Sequence, residues 1–328
     1  MNILLIDADS TIPNLALMKL SAYHKNKGDN VELKQLHLPY YPNRKKSVIS
    51  IDTSEYDKTY CSIVFDVNNR FIIGDNIVFG GTGVSLNVAL PKKVELYEPD
   101  YSIYPDNDIS YGFMTRGCIR NCSFCKVPKK EGHIHLVHEP EDIIRHKKVK
   151  FMDNNILAYK DHKRLLSKIL EINPRLQFNQ GLDIRLIDSE NSYLLSKLKY
   201  IDNIYFAFDD IKYVDIIENK LKILDWRKDF RISFFVYVHP NMPLSDTVRR
   251  IEWLKDHKCF PYIMRDISCW DSQHSKFYID LAGWCNQMKI FKKMSFDEFL
   301  YKKHVERCPV RPDPARVANH WQLYCENI

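Results

Sequence analysis

From residue 110 onward the chain repeats one pattern: a short apolar run, rich in β-branched and aromatic residues, followed by a stretch of helical period. The apolar runs fall near 110–115, 149–153, 176–180, 202–208, 231–238 and 260–265. Helical stretches fall between them at 139–147, 160–172, 189–199, 214–228 and 245–257. Few architectures accept such alternation, because parallel strands need a crossover between them and a helix is the usual one. The expectation is an α/β protein whose strands deliver their carboxyl ends to one rim. Chemistry in barrels of this build sits at that rim, where the loops converge.

The first of these runs, Ser110 to Arg116, leads straight into Gly117-Cys118-Ile119-Arg120-Asn121-Cys122-Ser123-Phe124-Cys125. Three thiols at CxxxCxxC spacing favour a soft metal centre over disulfides, since an odd count leaves one unpaired. A zinc site would recruit a fourth Cys or His at short range, and none follows. Three thiolates on a four-iron cube leave one iron open, which suits a cluster that binds a substrate as well as carrying electrons. A structural zinc or a non-catalytic iron–sulfur protein is the competing reading.

On this CxxxCxΦC loop at the end of a first barrel strand, with Phe124 as the aromatic Φ, the chain resembles the radical S-adenosylmethionine (radical SAM) superfamily. The resemblance implies a partial (βα)6 TIM-type barrel over 110–270. It implies a 4Fe-4S cluster held by Cys118, Cys122 and Cys125, and S-adenosylmethionine chelated at the open iron. Reductive cleavage then yields a 5′-deoxyadenosyl radical that abstracts hydrogen from a small-molecule, peptide or nucleotide substrate, with an external electron donor. Phe124 would lie against the adenine. The run Phe178-Asn179-Gln180-Gly181-Leu182-Asp183-Ile184-Arg185 is similar to a segment of uncharacterised members that carry an N-terminal Rossmann-like domain.

Polar residues at the strand ends are the candidate ligands of SAM. Asp153 and Asn154 suit an ammonium through charge-assisted hydrogen bonds. Gln180, Asp183 and Arg185 follow the third strand, and Asp183 and Arg185 share a face in an extended segment. Arg185 could fork onto a carboxylate while Asp183 accepts from hydroxyls, or the two could simply pair with each other. Arg265 ends an apolar strand and needs an anionic partner. Asp209, Tyr237 and His239 are candidate catalytic groups, Tyr237 and His239 sharing a face.

Residues 1–95 read as a smaller Rossmann-like α/β unit, with strands at 2–7, 31–37, 59–65 and 76–79 and a helix at 14–27. It looks like the domain that precedes the barrel in the cobalamin-binding branch of the superfamily. That relation raises a cobalamin-dependent methyltransferase as an alternative, but the DxHxxG signature that supplies the cobalt's histidine is absent. Gly80, Gly81 and Gly83 could cradle a nucleotide-like ligand, or serve as a tight turn. Residues 96–109, within a Pro-, Asp- and Tyr-rich stretch that opens at 91, read as a linker, and 271–328 as a helical extension with a capping box at Ser295 and Glu298.

Other clusters carry less. His133, His135 and His138 lack a partner at metal-site spacing. Lys126, Lys129, Lys130, Arg145, Lys147, Lys148 and Lys150 make the region beside the cysteines basic, which with a net charge of +6 admits RNA as a partner. Cys259, Cys269, Cys285, Cys308 and Cys325 are too far apart to suggest a second cluster by spacing alone and mostly read as buried small apolar residues, with convergence in space into an auxiliary cluster as the alternative. Nine cysteines and no apolar run near the roughly 20 residues of a membrane helix lead to the expectation of a reducing, cytoplasmic setting.

Overall fold

The computed structural model describes residues 1–41, 44–307 and 310–326, with side chains described as far as 320. It divides into two compact units, Met1–Gly112 with Arg120–His133, and Phe113–Ile119 with Ile134–Ile328.

The first unit contains β1 (Asn2–Asp7), β2 (Asn30–Gln35), β3 (Ile49–Ser50), β4 (Lys58–Ser62), β5 (Ile72–Ile73), β6 (Ile77–Gly80) and β7 (Ile109–Gly112). Four of these form a parallel sheet in the order β2-β1-β4-β6, and β3 pairs with β5. Central β1 is apolar on both faces, as a parallel strand covered on both sides must be. Ile3 and Leu5 pack with Leu17 and Leu20 of α1 (Leu15–Lys25), whereas Leu4 and Ile6 pack with Ile51, Cys61 and Ile63 on the other face. Asn14 caps α1 by accepting from the Ala16 and Leu17 amides. Two further helices, α2 (Lys92–Glu95) and α3 (Val127–Glu131), belong to this unit.

The stretch 91–105 packs onto the first unit instead of trailing from it. Val94 joins the α1 core, Lys19 Nζ lies 2.8 Å from Glu95, and the Tyr104 hydroxyl donates to Asp7 at 2.7 Å. The glycine run after β6 is a tight turn. A Cβ on Gly81 would collide with the Ile63 carbonyl oxygen, and one on Gly83 would come within 2.7 Å of the Phe65 backbone. Gly81 also has φ +98°, a region open to glycine at no steric cost. We expect Gly81→Ala to cost about 2 kcal/mol or more, read as a lowered urea midpoint at unchanged slope. An unchanged midpoint would show that the turn has slack.

The second unit begins with a short antiparallel pair, β8 (Thr115–Arg116) and β9 (His135–Leu136). Next come β10 (Lys148–Phe151), β11 (Arg175–Phe178) and β12 (Lys199–Tyr200), paired in parallel, and a second parallel set, β13 (Ile204–Ala207), β14 (Ile232–Val238) and β15 (Phe260–Arg265). A parallel bridge between Leu182 and Phe206 joins the two sets, so the unit is an open, partial barrel. Its crossover helices are α4 (Pro140–Ile143), α5 (His162–Ile172), α6 (Ser189–Lys197), α7 (Val214–Ile223) and α8 (Leu244–Asp256). One continuous core of Val149, Phe151, Leu176, Phe178, Phe206, Phe234 and Val236 packs against Leu165, Ile169, Leu195 and Leu254 from those helices. The helical tail comprises α9 (Ser275–Cys285), α10 (Met288–Lys293), α11 (Phe296–Tyr301), a π-helical turn at Lys302–Glu306 and α12 (Pro314–Glu326).

Three elements differ from the sequence expectation for visible reasons. The strand expected at 110–115 is interrupted at Phe113 and Met114. Its ladder groups are diverted there: the Met114 carbonyl accepts from Val137 and His138, and its amide donates to Asp153. The helix expected at 139–147 is a single turn, because the Arg145 guanidinium takes the Glu141 carbonyl at 2.6 Å and Ile144 is extended. In the helical extension expected over 271–328, the helix opened by the Ser295–Glu298 capping box keeps that box but passes into the π-helical turn after Tyr301. Among the described residues no helix is long and apolar enough to cross a membrane.

Candidate active site

Strand alternation gives the barrel unit an inner face distinct from its core. Ile204, Phe206, Phe234, Val236 and Ile263 point to the helices, while Tyr205, Phe235, Tyr237, Tyr262 and Met264 line the opposite face. Tyr205 stacks on Phe235 at 4.8 Å and Phe235 meets Tyr262 edge-on at 5.8 Å. Tyr262 and Met264 remain 43% and 47% exposed, so this aromatic face is open to solvent rather than filled. Gly181 (φ +78°) abuts it, and a Cβ there would sit 3.0 Å from the Phe235 ring.

At the carboxyl ends of β13, β14 and β15 the polar groups connect to one another. The Tyr237 hydroxyl donates to Asp266 Oδ2 at 2.7 Å, and His239 Nε2 lies 3.8 Å from Asp266 Oδ1. Burial, followed by the Asp266 carboxylate, raises the Tyr237 phenol above the ordinary tyrosine value. Asp209 accepts from the Tyr237 amide at 3.2 Å, and burial raises its carboxyl. The expected trio of Asp209, Tyr237 and His239 thus shares one rim, with Asp266 accepting from Tyr237 and lying 3.8 Å from His239.

Three sequence expectations need correction. Asp153 is turned inward: it is 3% exposed, and its carboxylate takes the Met114 amide, the Thr115 amide and the Thr115 hydroxyl. It braces the strand that carries the cysteine loop, and burial pushes its carboxyl up to about 6 against those three donors. Asp183 and Arg185 form the mutual ion pair, with Nε to Oδ1 at 2.6 Å and Nη2 to Oδ2 at 3.0 Å, and the guanidinium also lies over the Tyr213 ring. Arg265 lies over the Trp270 ring at 4.3 Å, an aromatic contact the sequence expectation did not include. Gln180 is exposed and Asn154 half-buried, both after their expected strands.

Cys118, Cys122 and Cys125 are half-buried thiols outside any disulfide, and Phe124 is 42% exposed. Cys118 belongs to the barrel unit, where Asn155 Nδ2 lies 3.6 Å from its sulfur. In the other unit, the Cys125 amide donates to the Cys122 carbonyl at 3.0 Å, forming a turn before α3. Asn155 is 4% exposed, and its Oδ1 is buried with no hydrogen-bond partner. Among the described residues no group of three or more His, Cys, Asp or Glu side chains surrounds a metal position, His133, His135 and His138 included. The donor chemistry nonetheless fits an iron–sulfur cluster: three thiols in one loop, an amide N–H directed at one sulfur, and an unmatched polar atom beside it.

Sequence reading placed Asn155 in the polar turn after the second strand, with Asp153 and Asn154, and overlooked Arg250. Arg250 is fully buried in α8, donating to the carbonyls of Phe208 at 2.9 Å and Tyr237 at 3.1 Å, and burial lowers it to about 10. It ties the ends of β13 and β14 together beneath Asp209. Its only sequence trace is an arginine on the apolar face of an amphipathic helix, next to Val248, Ile251 and Leu254.

No family model matches the chain, and no curated protein does. Among solved structures it is similar to the cobalamin-dependent S-adenosylmethionine radical enzyme OxsB, determined with aqua-cobalamin and S-adenosylmethionine bound. The identity is 12% and the TM-score 0.50, over 89% of this chain. The chain spans 56% of the length of that enzyme. A likeness at this identity concerns the fold alone, here an α/β chain with a parallel sheet in one unit and a partial barrel in the other.

Proposed function

We propose that the chain is a radical SAM enzyme that binds a 4Fe-4S cluster through Cys118, Cys122 and Cys125. The observation that carries this reading is the CxxxCxxC loop that follows β8, with the Asn155 amide directed at the Cys118 sulfur. When bound, the cluster and S-adenosylmethionine would supply the electron and the 5′-deoxyadenosyl radical. The chain's own residues orient and protect. Asp153 fixes Met114 and Thr115, and so the start of the loop. Phe124 offers an apolar ring beside the third thiol. The aromatic face of Tyr205, Phe235 and Tyr262 offers a surface that does not compete for polar contacts. Tyr237, whose hydroxyl is fixed by its hydrogen bond to Asp266, is the rim group we assign to donating a hydrogen atom or proton to a substrate intermediate.

Anaerobic reconstitution with iron and sulfide, then dithionite and S-adenosylmethionine, should yield 5′-deoxyadenosine and methionine in equal amounts. Bound zinc with no cleavage would replace this reading with a structural metal protein. The likeness to OxsB, a cobalamin-dependent S-adenosylmethionine radical enzyme, keeps cobalamin binding as a second reading, with no reaction outcome specified by it. A corrinoid visible spectrum from aqua-cobalamin added to the purified chain would support that second reading, and a colourless protein after desalting would remove it.

Asn155→Ala should leave iron content intact and make the cluster's reduction potential more negative, because hydrogen bonds to the sulfurs raise it. A potential identical to wild type in a spectroelectrochemical titration would show that Asn155 does not reach the cluster's sulfurs.

A further inference from the structure

The first unit holds a second constellation, far along the sequence from the cysteine loop. In its sheet β2 lies on one side of β1 and β4 on the other, so the order reverses between β1 and β4. Open α/β sheets bind ligands at the carboxyl ends of the strands flanking such a reversal. Beyond the end of β1, Asp9 is 2% exposed and accepts from the Val64 amide at 2.7 Å, the Phe65 amide at 3.1 Å and Asn68 Nδ2 at 2.9 Å. These hydrogen bonds fix the loop after β4. Asn68 is fully buried, and its Oδ1 accepts from Lys46 Nζ at 2.6 Å. A buried carboxylate therefore orients a buried amide, which in turn fixes an ammonium.

That ammonium lines a cavity of about 380 Å³, within the size range of small-molecule sites. Arg44, Arg70, Asp66 and Phe71 share the lining. Lys46 Nζ and the Arg70 guanidinium lie 5.4 and 5.2 Å from the Phe71 ring centroid, so two cations flank one aromatic ring. Three cations face one carboxylate, a balance of two positive charges, and Asp66 has Lys126 3.7 Å away as a further cation. Burial lowers Lys46, the Asp9 carboxylate opposes that in part, and Arg70 adds to the lowering.

We propose that this cavity binds the phosphate monoester of a small planar-ring compound, a nucleoside monophosphate being the chemical class that fits. A phosphate monoester carries up to two negative charges at neutral pH and offers three acceptor oxygens, which matches the balance of the lining. Arginine suits it through paired N–H donors, and the Phe71 ring gives the base a surface to stack on. The lining residues lie between Arg44 and Phe71, and none of them is a cysteine, so the role does not require the cluster.

The test is calorimetric titration of the full chain with inorganic phosphate, UMP, uridine and succinate at 150 mM salt. UMP should bind saturably and at least tenfold more tightly than inorganic phosphate, with uridine and succinate weaker than both. Lys46→Met and Arg70→Met should each weaken UMP at least tenfold, Phe71→Leu should weaken UMP but not phosphate, and Cys118→Ala should change nothing. Circular dichroism checks the fold of Lys46→Met. Should it misfold, Arg44→Ser at the exposed rim replaces it, with a several-fold loss expected. UMP binding that is unsaturable, equal in wild type and the Lys46 and Arg70 variants, or matched by succinate would overturn the proposal.

Discussion

Replacing any one of Cys118, Cys122 and Cys125 with alanine is expected to abolish S-adenosylmethionine cleavage while leaving the fold intact. The physical reason lies in the count. Three thiolates are the minimum that leaves one iron of a cube open, and no other cysteine stands at short range to substitute. Cys259, Cys269 and Cys285 are buried in the barrel core and helical tail, and burial raises their thiols to about 12 in the first two and well above normal in the third. Such thiols stay protonated and inert. Iron and sulfide content per chain should fall by at least half in each variant, and 5′-deoxyadenosine should drop below detection. The fold should persist because the three thiols are half-buried and contribute little to either core. A variant that keeps full cleavage would remove its cysteine from the ligand set.

A comparable effect, on stability instead of chemistry, is expected at Asp280. This carboxylate in α9 is fully buried and meets four basic side chains. Lys303 Nζ is 2.7 Å from Oδ1, and His304 Nε2, Arg316 Nε and His320 Nε2 are 3.0, 2.9 and 2.9 Å from Oδ2. It ties α9 to the π-helical turn and to α12. Burial alone would raise its carboxyl, but the His320 and Lys303 hydrogen bonds and the Lys303 and Arg316 charges hold it well below the usual range. Removing the acid leaves buried cations uncompensated, so Asp280→Ala should cost about 3–5 kcal/mol.

The pH dependence follows from the same group. A carboxyl depressed in the folded state contributes stability that is complete above its unfolded value, about 4, and is lost as pH falls below it. His304 is lowered chiefly by burial, so unfolding lets it take up a proton below about 6.5. Wild-type stability should decline gently below about pH 6.5 and steeply below about pH 4. Asp280→Asn should lack the steep phase in urea titrations, and an unchanged acid limb would show that the network carries no net stability.

The strands at 231–238 and 260–265 were legible nearly to the residue, because β-branched and aromatic residues fill runs bounded by turn residues. The interruption at Phe113 and Met114 was not, since its cause is a carboxylate 39 residues further on. Asp183 and Arg185 show the same limit: their spacing puts both on one face, but whether they meet a ligand or each other depends on Tyr213 and the fold around it. Asp153 looked like a ligand because it follows a strand, and its burial against Thr115 is a tertiary fact. Asp280 gave no local signal, for its four partners are spread from 303 to 320. Cys308 and the side chain of Cys325 lie outside the described residues.

The most direct measurement is Mössbauer spectroscopy of anaerobically prepared, 57Fe-reconstituted protein with and without S-adenosylmethionine. The account predicts four irons and four sulfides per chain, with one iron site whose signal changes when S-adenosylmethionine is added and three that do not. Four equivalent irons blind to S-adenosylmethionine, or no cluster at all, would contradict it.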